Sequence, residues 1–190
     1  MTTYQPAGFG VSAQTLEPTE QDLKVLSAQL GRPVRDVLEI PARCICSNPL
    51  VAATAPRLSN GSPFPTTFYL SHPVLTAAAS RLEAEGLMYE MTDELGEDPQ
   101  KAEAYQQAHE NYLAHRQRIG QKAGIGQVEE IAGVSAGGMP TRVKCLHALL
   151  GHTLAVGRGT NPYGDQTLDL IAPWWTPDSC HCDPAWGQDD

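Results

Sequence analysis

Val34-Arg35-Asp36-Val37-Leu38-Glu39-Ile40-Pro41-Ala42-Arg43-Cys44-Ile45-Cys46-Ser47-Asn48-Pro49-Leu50-Val51-Ala52-Ala53-Thr54-Ala55 holds two apolar-rich runs hinged on a pair of cysteines one residue apart. The first run, 34–43, alternates apolar and polar side chains, the period of a strand with one face on a core. Residues 50–55 and 66–70 read the same way. Between them, Ser59-Asn60-Gly61-Ser62-Pro63 is a turn signal, because Asn-Gly tolerates positive φ. The reading is a three-stranded antiparallel meander with the Cys44–Cys46 pair at its first turn.

Helical patterns surround this meander. Thr19 is a candidate N-cap, with Asp22 three residues on, for a helix over 19–30 that Gly31 and Pro33 end. Pro73 opens a helix that stops before Gly86, and a shorter one covers 88–95. Asp98-Pro99 caps a long helix to Gly120, with Arg116 and Arg118 near the negative end of its dipole. Residues 124–138 read as a small-residue linker. Met139-Pro140 is expected to open a further helix to Val156, apolar on most sides and therefore central and buried, followed by a glycine-rich loop over 157–164 and a last turn through Leu170. The fold class is α+β: a small antiparallel β-meander packed on four to five helices around a buried central helix. Residues 1–15 are expected to form a flexible arm, 16–175 a single domain, and 176–190 a disordered acidic tail.

Composition narrows the function classes. A net charge of -9 over 190 residues disfavours nucleic-acid binding driven by phosphate neutralisation. Seven acids and no base lie between Glu83 and Asp98, an acidic ridge suited to protein contacts, whereas 32–72 carries four arginines against two acids. The motif-rich segments are therefore mildly basic inside an acidic shell, which suits a small anionic ligand or a partner peptide. No run approaches the ~20 apolar residues that span a bilayer, and the first sixteen residues lack the pattern of a secretory signal. The expectation is a cytoplasmic protein, in which an odd count of five cysteines is free, metal-bound or catalytic.

Two thiols in C-x-C spacing cannot easily bond each other, but they can share a metal ion. Thiolates suit tetrahedral zinc, and iron is compatible with the same ligands. Cys44 and Cys46 would supply two ligands, His72 a third from the neighbouring strand end, and Cys145 a fourth. Two other readings stay open: reduced cysteines packing as small apolar residues, and a redox pair. Placed mid-helix, Cys145 and His147 point to nearly opposite faces, and Cys145 and His152 lie ~10 Å apart along the axis. On that geometry Cys145 goes to the metal, and His147 and His152 are candidates for general-base catalysis with Asp165 as orienting partner. The plainer reading of either histidine is a buried ring satisfied by hydrogen bonds.

Arg57, Arg142, Lys144 and Asn161 are candidate ligand-binding residues. His109, Tyr112 and Arg116, which share one face of the long helix with Tyr105 and Ile119, are further candidates. The plainer reading of that face is a core-packing stripe with polar tips. The loop Gly157-Arg158-Gly159-Thr160-Asn161-Pro162-Tyr163-Gly164-Asp165 matches no nucleotide-binding fingerprint, and a helix cap followed by a tight turn accounts for it better. Cys180-His181-Cys182 can bind metal adventitiously but is read as part of the disordered tail.

Arg43-Cys44-x-Cys46, Pro56-Arg57-Leu58, Asn60-Gly61-x-Pro63-Phe64-Pro65-Thr66, Gly137-Gly138-Met139-Pro140, Arg142-Val143-Lys144-Cys145-Leu146-His147 and Asn161-Pro162-x-Gly164-Asp165 together resemble domain of unknown function 501, an uncharacterised and mostly actinobacterial family. The likeness runs from Arg32 to Trp175. The family often has Cys-Pro at the place of His72-Pro73, and a Cys/His exchange is what a metal ligand tolerates. The resemblance implies no reaction. The sequence therefore supports a module with a structural zinc site and a polar pocket, with a metal- or histidine-dependent hydrolase as the alternative.

Overall fold

Strands β1 (Val37–Arg43) and β2 (Pro49–Thr54) form an antiparallel hairpin, and β3 (Phe68–Leu70) pairs antiparallel with β2 to give the order β1-β2-β3. This is a computed structural model, and it describes residues 16–188. The expected arm over 1–15 lies outside them. Pro41 lacks a backbone N–H, and the β1–β2 register shifts between Glu39 and Ala42, on either side of it. Every residue of β2 is buried, as a central strand covered on both faces should be.

Six α-helices surround the sheet among the described residues: α1 (Glu20–Leu30), α2 (Pro73–Ala84), α3 (Leu87–Glu97), α4 (Pro99–Lys122), α5 (Leu146–Val156) and α6 (Pro162–Leu170). The local signals work as read. Thr19 and Asp22 form a reciprocal capping box on α1, and Asp98 accepts from the Gln100 and Lys101 amides at the start of α4. Asn161 does the same for α6 through the Gly164 amide. No helix among the described residues is long and apolar enough to cross a membrane.

One helix boundary differs, with consequences for the chemistry. The expected helix from Met139 begins only at Leu146. Residues before it make a compact turn with a cis Met139–Pro140 bond, and Cys145 is an extended N-cap residue with φ -151°. Gly138 explains part of this: its φ is +91°, and a Cβ there would stand 2.5 Å from the Arg142 carbonyl oxygen, so the segment folds back on itself instead of winding into helix.

Helix α5 packs against β3, α2 and α6 at the centre of the molecule. Its contact with α6 depends on Gly164, where an added Cβ would lie 2.4 Å from both the Leu149 carbonyl oxygen and the Thr153 hydroxyl. Gly164, part of the glycine-rich loop in the sequence, is therefore a helix-crossing point. The tail expected over 176–190 is described to residue 188, and it touches the body at a few residues. Gln21 donates to the Gly187 carbonyl oxygen at 3.1 Å, Trp186 meets His72 edge-on at 5.4 Å between ring centroids, and Cys182 packs on the main core.

The hairpin is wired to α1 by charge. Arg43 donates to both carboxylate oxygens of Asp22, at 2.6 and 2.9 Å, and to the Ser47 carbonyl oxygen at 2.8 Å. Both side chains are buried, 7 and 8% exposed. Burial opposes the charge on Asp22, but Arg43 and the Thr19 backbone and hydroxyl outweigh it and hold the carboxyl below its usual range. Glu39 is similar: burial is overcome by a bidentate Arg118 and by Lys122.

Three outcomes follow from this packing. Arg43→Ala leaves a buried carboxylate uncompensated and should cost about 3–5 kcal/mol in urea unfolding. Because Asp22 and Glu39 titrate lower when folded, their contribution is complete above the ordinary carboxylate pKa of about 4 and is lost as pH falls through the folded values. Stability measured from pH 6 downward should thus fall more shallowly in an Asp22→Asn, Glu39→Gln variant than in the parent chain. Gly164→Ala, which sets a methyl against fixed backbone, should destabilise by about 1–3 kcal/mol while leaving the unfolding slope unchanged.

Candidate metal centre

The hairpin turn presents Cys44 and Cys46 together. The Cys44 N–H donates to the Asn48 carbonyl oxygen at 2.9 Å, the Ser47 N–H returns to the Cys44 carbonyl at 2.8 Å, and Ser47 takes a positive φ of 72°. Arg43 braces the same turn through the Ser47 carbonyl. Cys44 faces the core, whereas Ile45 and Cys46 are exposed.

Cys180 and Cys182 complete the group. The four Sγ atoms of Cys44, Cys46, Cys180 and Cys182 all lie within 4.8 Å of one another. A tetrahedral zinc with Zn–S bonds of ~2.3 Å would set its sulfurs about 3.8 Å apart, so the cluster is of the right size to close on an ion. Burial, then the neighbouring thiols, pushes Cys182 up, and burial does the same to Cys44. The Cys182 backbone N–H and then the Cys46 thiol draw Cys180 down. Crowded thiols of this kind cannot all ionise on their own; a dication supplies the missing charge. The cluster can therefore hold a metal ion.

His72, expected as a ligand, stands beside the group. It is fully buried at the N-cap of α2, with Nε2 3.5 Å from the Cys182 sulfur. Burial, with a smaller effect from His181, lowers its pKa to about 4, so the ring is neutral at pH 7. An Nε2–H donor to a thiolate is the outer support that metal ligands receive.

Cys145, the other expected ligand, is in a different place. It lies with Glu83 and His147, and its sulfur, a Glu83 carboxylate oxygen and a His147 ring nitrogen are within 4.8 Å of one another. The opposite-face argument fails because α5 starts one residue after Cys145: an extended N-cap residue does not obey the helical 100° rotation. Glu83 Oε1 accepts from the Leu146 N–H at 2.7 Å and lies 3.0 Å from His147 Nδ1. The Cys145 thiol and Glu83, against the effect of burial, push His147 up to about 9.

The remaining candidates do not gather into one pocket. Arg57 is tied to the Gly61 carbonyl and to Glu130. The Tyr112 hydroxyl accepts from the Thr67 N–H at 2.7 Å, Arg116 donates to the Ile131 and Val134 carbonyls, and His109 Nδ1 meets the Ser135 hydroxyl. These side chains, with Tyr105 and Ile119, form the buried face of α4. His152 is fully enclosed: Nε2 donates to Asn111 Oδ1 at 2.9 Å and Nδ1 accepts from Asn161 at 3.2 Å. Burial lowers its pKa to about 3, and both nitrogens are engaged, so it has no free site for a substrate proton. Asp165 accepts from Thr153 and from the Gly159 amide. Arg142 and Lys144 are exposed beside the start of α5.

Cys180 and Cys182, left out of the expected ligand set, carried one signal: they repeat the C-x-C spacing of Cys44 and Cys46. The acidic, proline-containing context of the tail masked it. No curated protein and no solved structure matches the sequence. The family model described as "Protein of unknown function (DUF501)" matches residues 40–169, a stretch that includes Cys44, Cys46, His72, Glu83, Cys145 and His147 and stops before Cys180. That match spans most of the chain and contains the arginine–cysteine, asparagine–glycine and Cys145-Leu146-His147 motifs, and the chain belongs to the DUF501 family.

Proposed function

We propose that the protein is a binding or regulatory module whose C-terminal segment is clasped to the β1–β2 hairpin by a structural zinc ion held by Cys44, Cys46, Cys180 and Cys182. The observation that carries this reading is the convergence of four sulfurs from two segments far apart in sequence, the β1–β2 turn and residues 180–182. Four thiolates fill a tetrahedral shell and leave no position for substrate, which is the pattern of structural rather than catalytic zinc. Zinc is favoured among metals that accept four sulfurs because it brings no redox chemistry to a site whose Cys46 and Cys180 face solvent.

The clasp also makes energetic sense. Among the described residues, segment 180–188 meets the body through the Gln21–Gly187 hydrogen bond, the 3.5 Å contact of the Cys182 sulfur with His72 Nε2, the Trp186–His72 ring contact and the packing of Cys182. A metal clip closing so long a loop removes more chain entropy from the unfolded state than a short-range one. The exposed Arg142 and Lys144 are the groups through which such a module would meet a small anion or an acidic peptide; the other expected cations are tied to internal acceptors.

Elemental analysis of protein purified without chelator tests this directly. Cys180→Ser and Cys182→Ser should each lower the zinc content by one equivalent relative to the parent chain. Chelation should make the segment after Trp175 several-fold more sensitive to limited proteolysis. An unchanged zinc content in both variants would remove the reading, and iron in place of zinc would give a coloured protein and correct the metal.

A further inference from the structure

We propose that Glu83, Cys145 and His147 form a second metal site, one with an open coordination position, at the start of α5. The site would take a divalent first-row cation of borderline softness, zinc or cobalt, with water or a small anion in the remaining position. It is independent of the four-cysteine cluster and shares no ligand with it.

Three features of the geometry point there. The first is the donor set: a thiol, an imidazole nitrogen and a carboxylate oxygen lie within 4.8 Å of one another. One thiolate, one carboxylate and one neutral imidazole around a dication sum to zero net charge, the cheapest arrangement at a half-buried site. Three protein ligands with the fourth place left to solvent are what catalytic zinc sites use.

The second feature is the support behind each ligand. His147 Nε2 is 3.1 Å from the Thr76 carbonyl oxygen, which can only accept, so Nε2 carries the ring hydrogen; the Ser80 hydroxyl is 3.2 Å from the same nitrogen. Nδ1, 3.0 Å from Glu83 Oε1, is then the nitrogen left to face an ion. Metal-bound histidines characteristically donate their other N–H to a carbonyl or carboxylate, and this one is already so arranged. Glu83 Oε1 is fixed by the Leu146 amide at 2.7 Å. In the metal-free arrangement a single proton between Nδ1 and Oε1 occupies the place of the ion.

The third feature is access. The His147 and Glu83 side chains are 28 and 23% exposed. Every other residue of α5 is buried, so His147 is the one side chain through which this helix reaches solvent. An ion and its water can therefore enter without opening the core.

The test uses the full chain produced in cobalt-supplemented medium, with cobalt per chain measured by elemental analysis and its coordination read from visible absorption. The parent chain should hold two equivalents, and Cys145→Ser and Glu83→Gln should each lose one. Serine is a good N-cap residue, so Cys145→Ser should keep the helix, and an unchanged far-ultraviolet circular dichroism spectrum checks this. Cys180→Ser should retain the other equivalent, and azide should shift its visible bands because the fourth position exchanges. If the four-cysteine cluster binds nothing, the parent would hold one equivalent, lost in Cys145→Ser and kept in Cys180→Ser, and the proposal would stand alone. Equal cobalt content in the parent and Cys145→Ser overturns it, as does an absorption spectrum in Cys180→Ser that azide leaves unchanged.

Discussion

Ten of the eleven residues of α5 are buried, and the rest of the molecule is arranged around satisfying that helix. Leu146, Leu149, Leu150 and Leu154 are wholly enclosed, each contributing about 1.5–3 kcal/mol when taken from water. A helix with no polar face needs neighbours on all sides, which the sheet, α2 and α6 provide. Close approach is possible because Gly151 lets the Phe68 carbonyl lie 3.0 Å from where a Cβ would be, and Gly164 does the same on the α6 side.

Burial this complete sets the role of the polar residues. His152 cannot stay charged at the centre of the core, so it is neutral and shares both nitrogens with Asn111 and Asn161. Asn161 in turn caps α6 through the Gly164 amide, so one chain of hydrogen bonds joins α4, α5 and α6. The same logic turns Tyr112 and Arg116 inward: the first receives the Thr67 amide near β3, the second holds the carbonyls of the 131–134 turn. Side chains that look like a ligand-binding wall on a helical wheel are here the internal acceptors and donors that a buried backbone requires.

The regular elements were legible in the sequence because their signals are local. Alternation gave the meander, Thr19–Asp22 and Asp98–Pro99 gave two helix starts, and the apolar run around Leu150 gave the central helix. The start of α5 was not legible, because Pro140 is as good a first helical residue as a turn residue; the difference lies in Gly138, whose left-handed backbone is set by the nearby Arg142 carbonyl. That error propagated to the chemistry by assigning Cys145 the wrong geometry. Two of the four clustered sulfurs, Cys44 and Cys46, were legible as a pair because they need only a hairpin turn. The other half arrives from the far end of the chain, a pairing that composition argued against and only the repeated C-x-C spacing favoured.

Helix α2 connects the two groups of potential ligands. His72 stands at its N-cap against Cys182, and Glu83 lies near its other end against Cys145 and His147. Eleven residues of helix at 1.5 Å each separate these positions by about 16 Å. Residues so far apart with no shared partner behave additively in most proteins. The two groups also differ in how they respond to solvent. One gathers four sulfurs from the β1–β2 turn and the segment 180–182. The other gathers one sulfur, one nitrogen and one oxygen and leaves a side open. A fold that needs a fastener has use for the first kind only. The second kind is braced by the Thr76 carbonyl and the Leu146 amide at the one point where α5 meets water, so its ligand atoms are held in place yet reachable from outside.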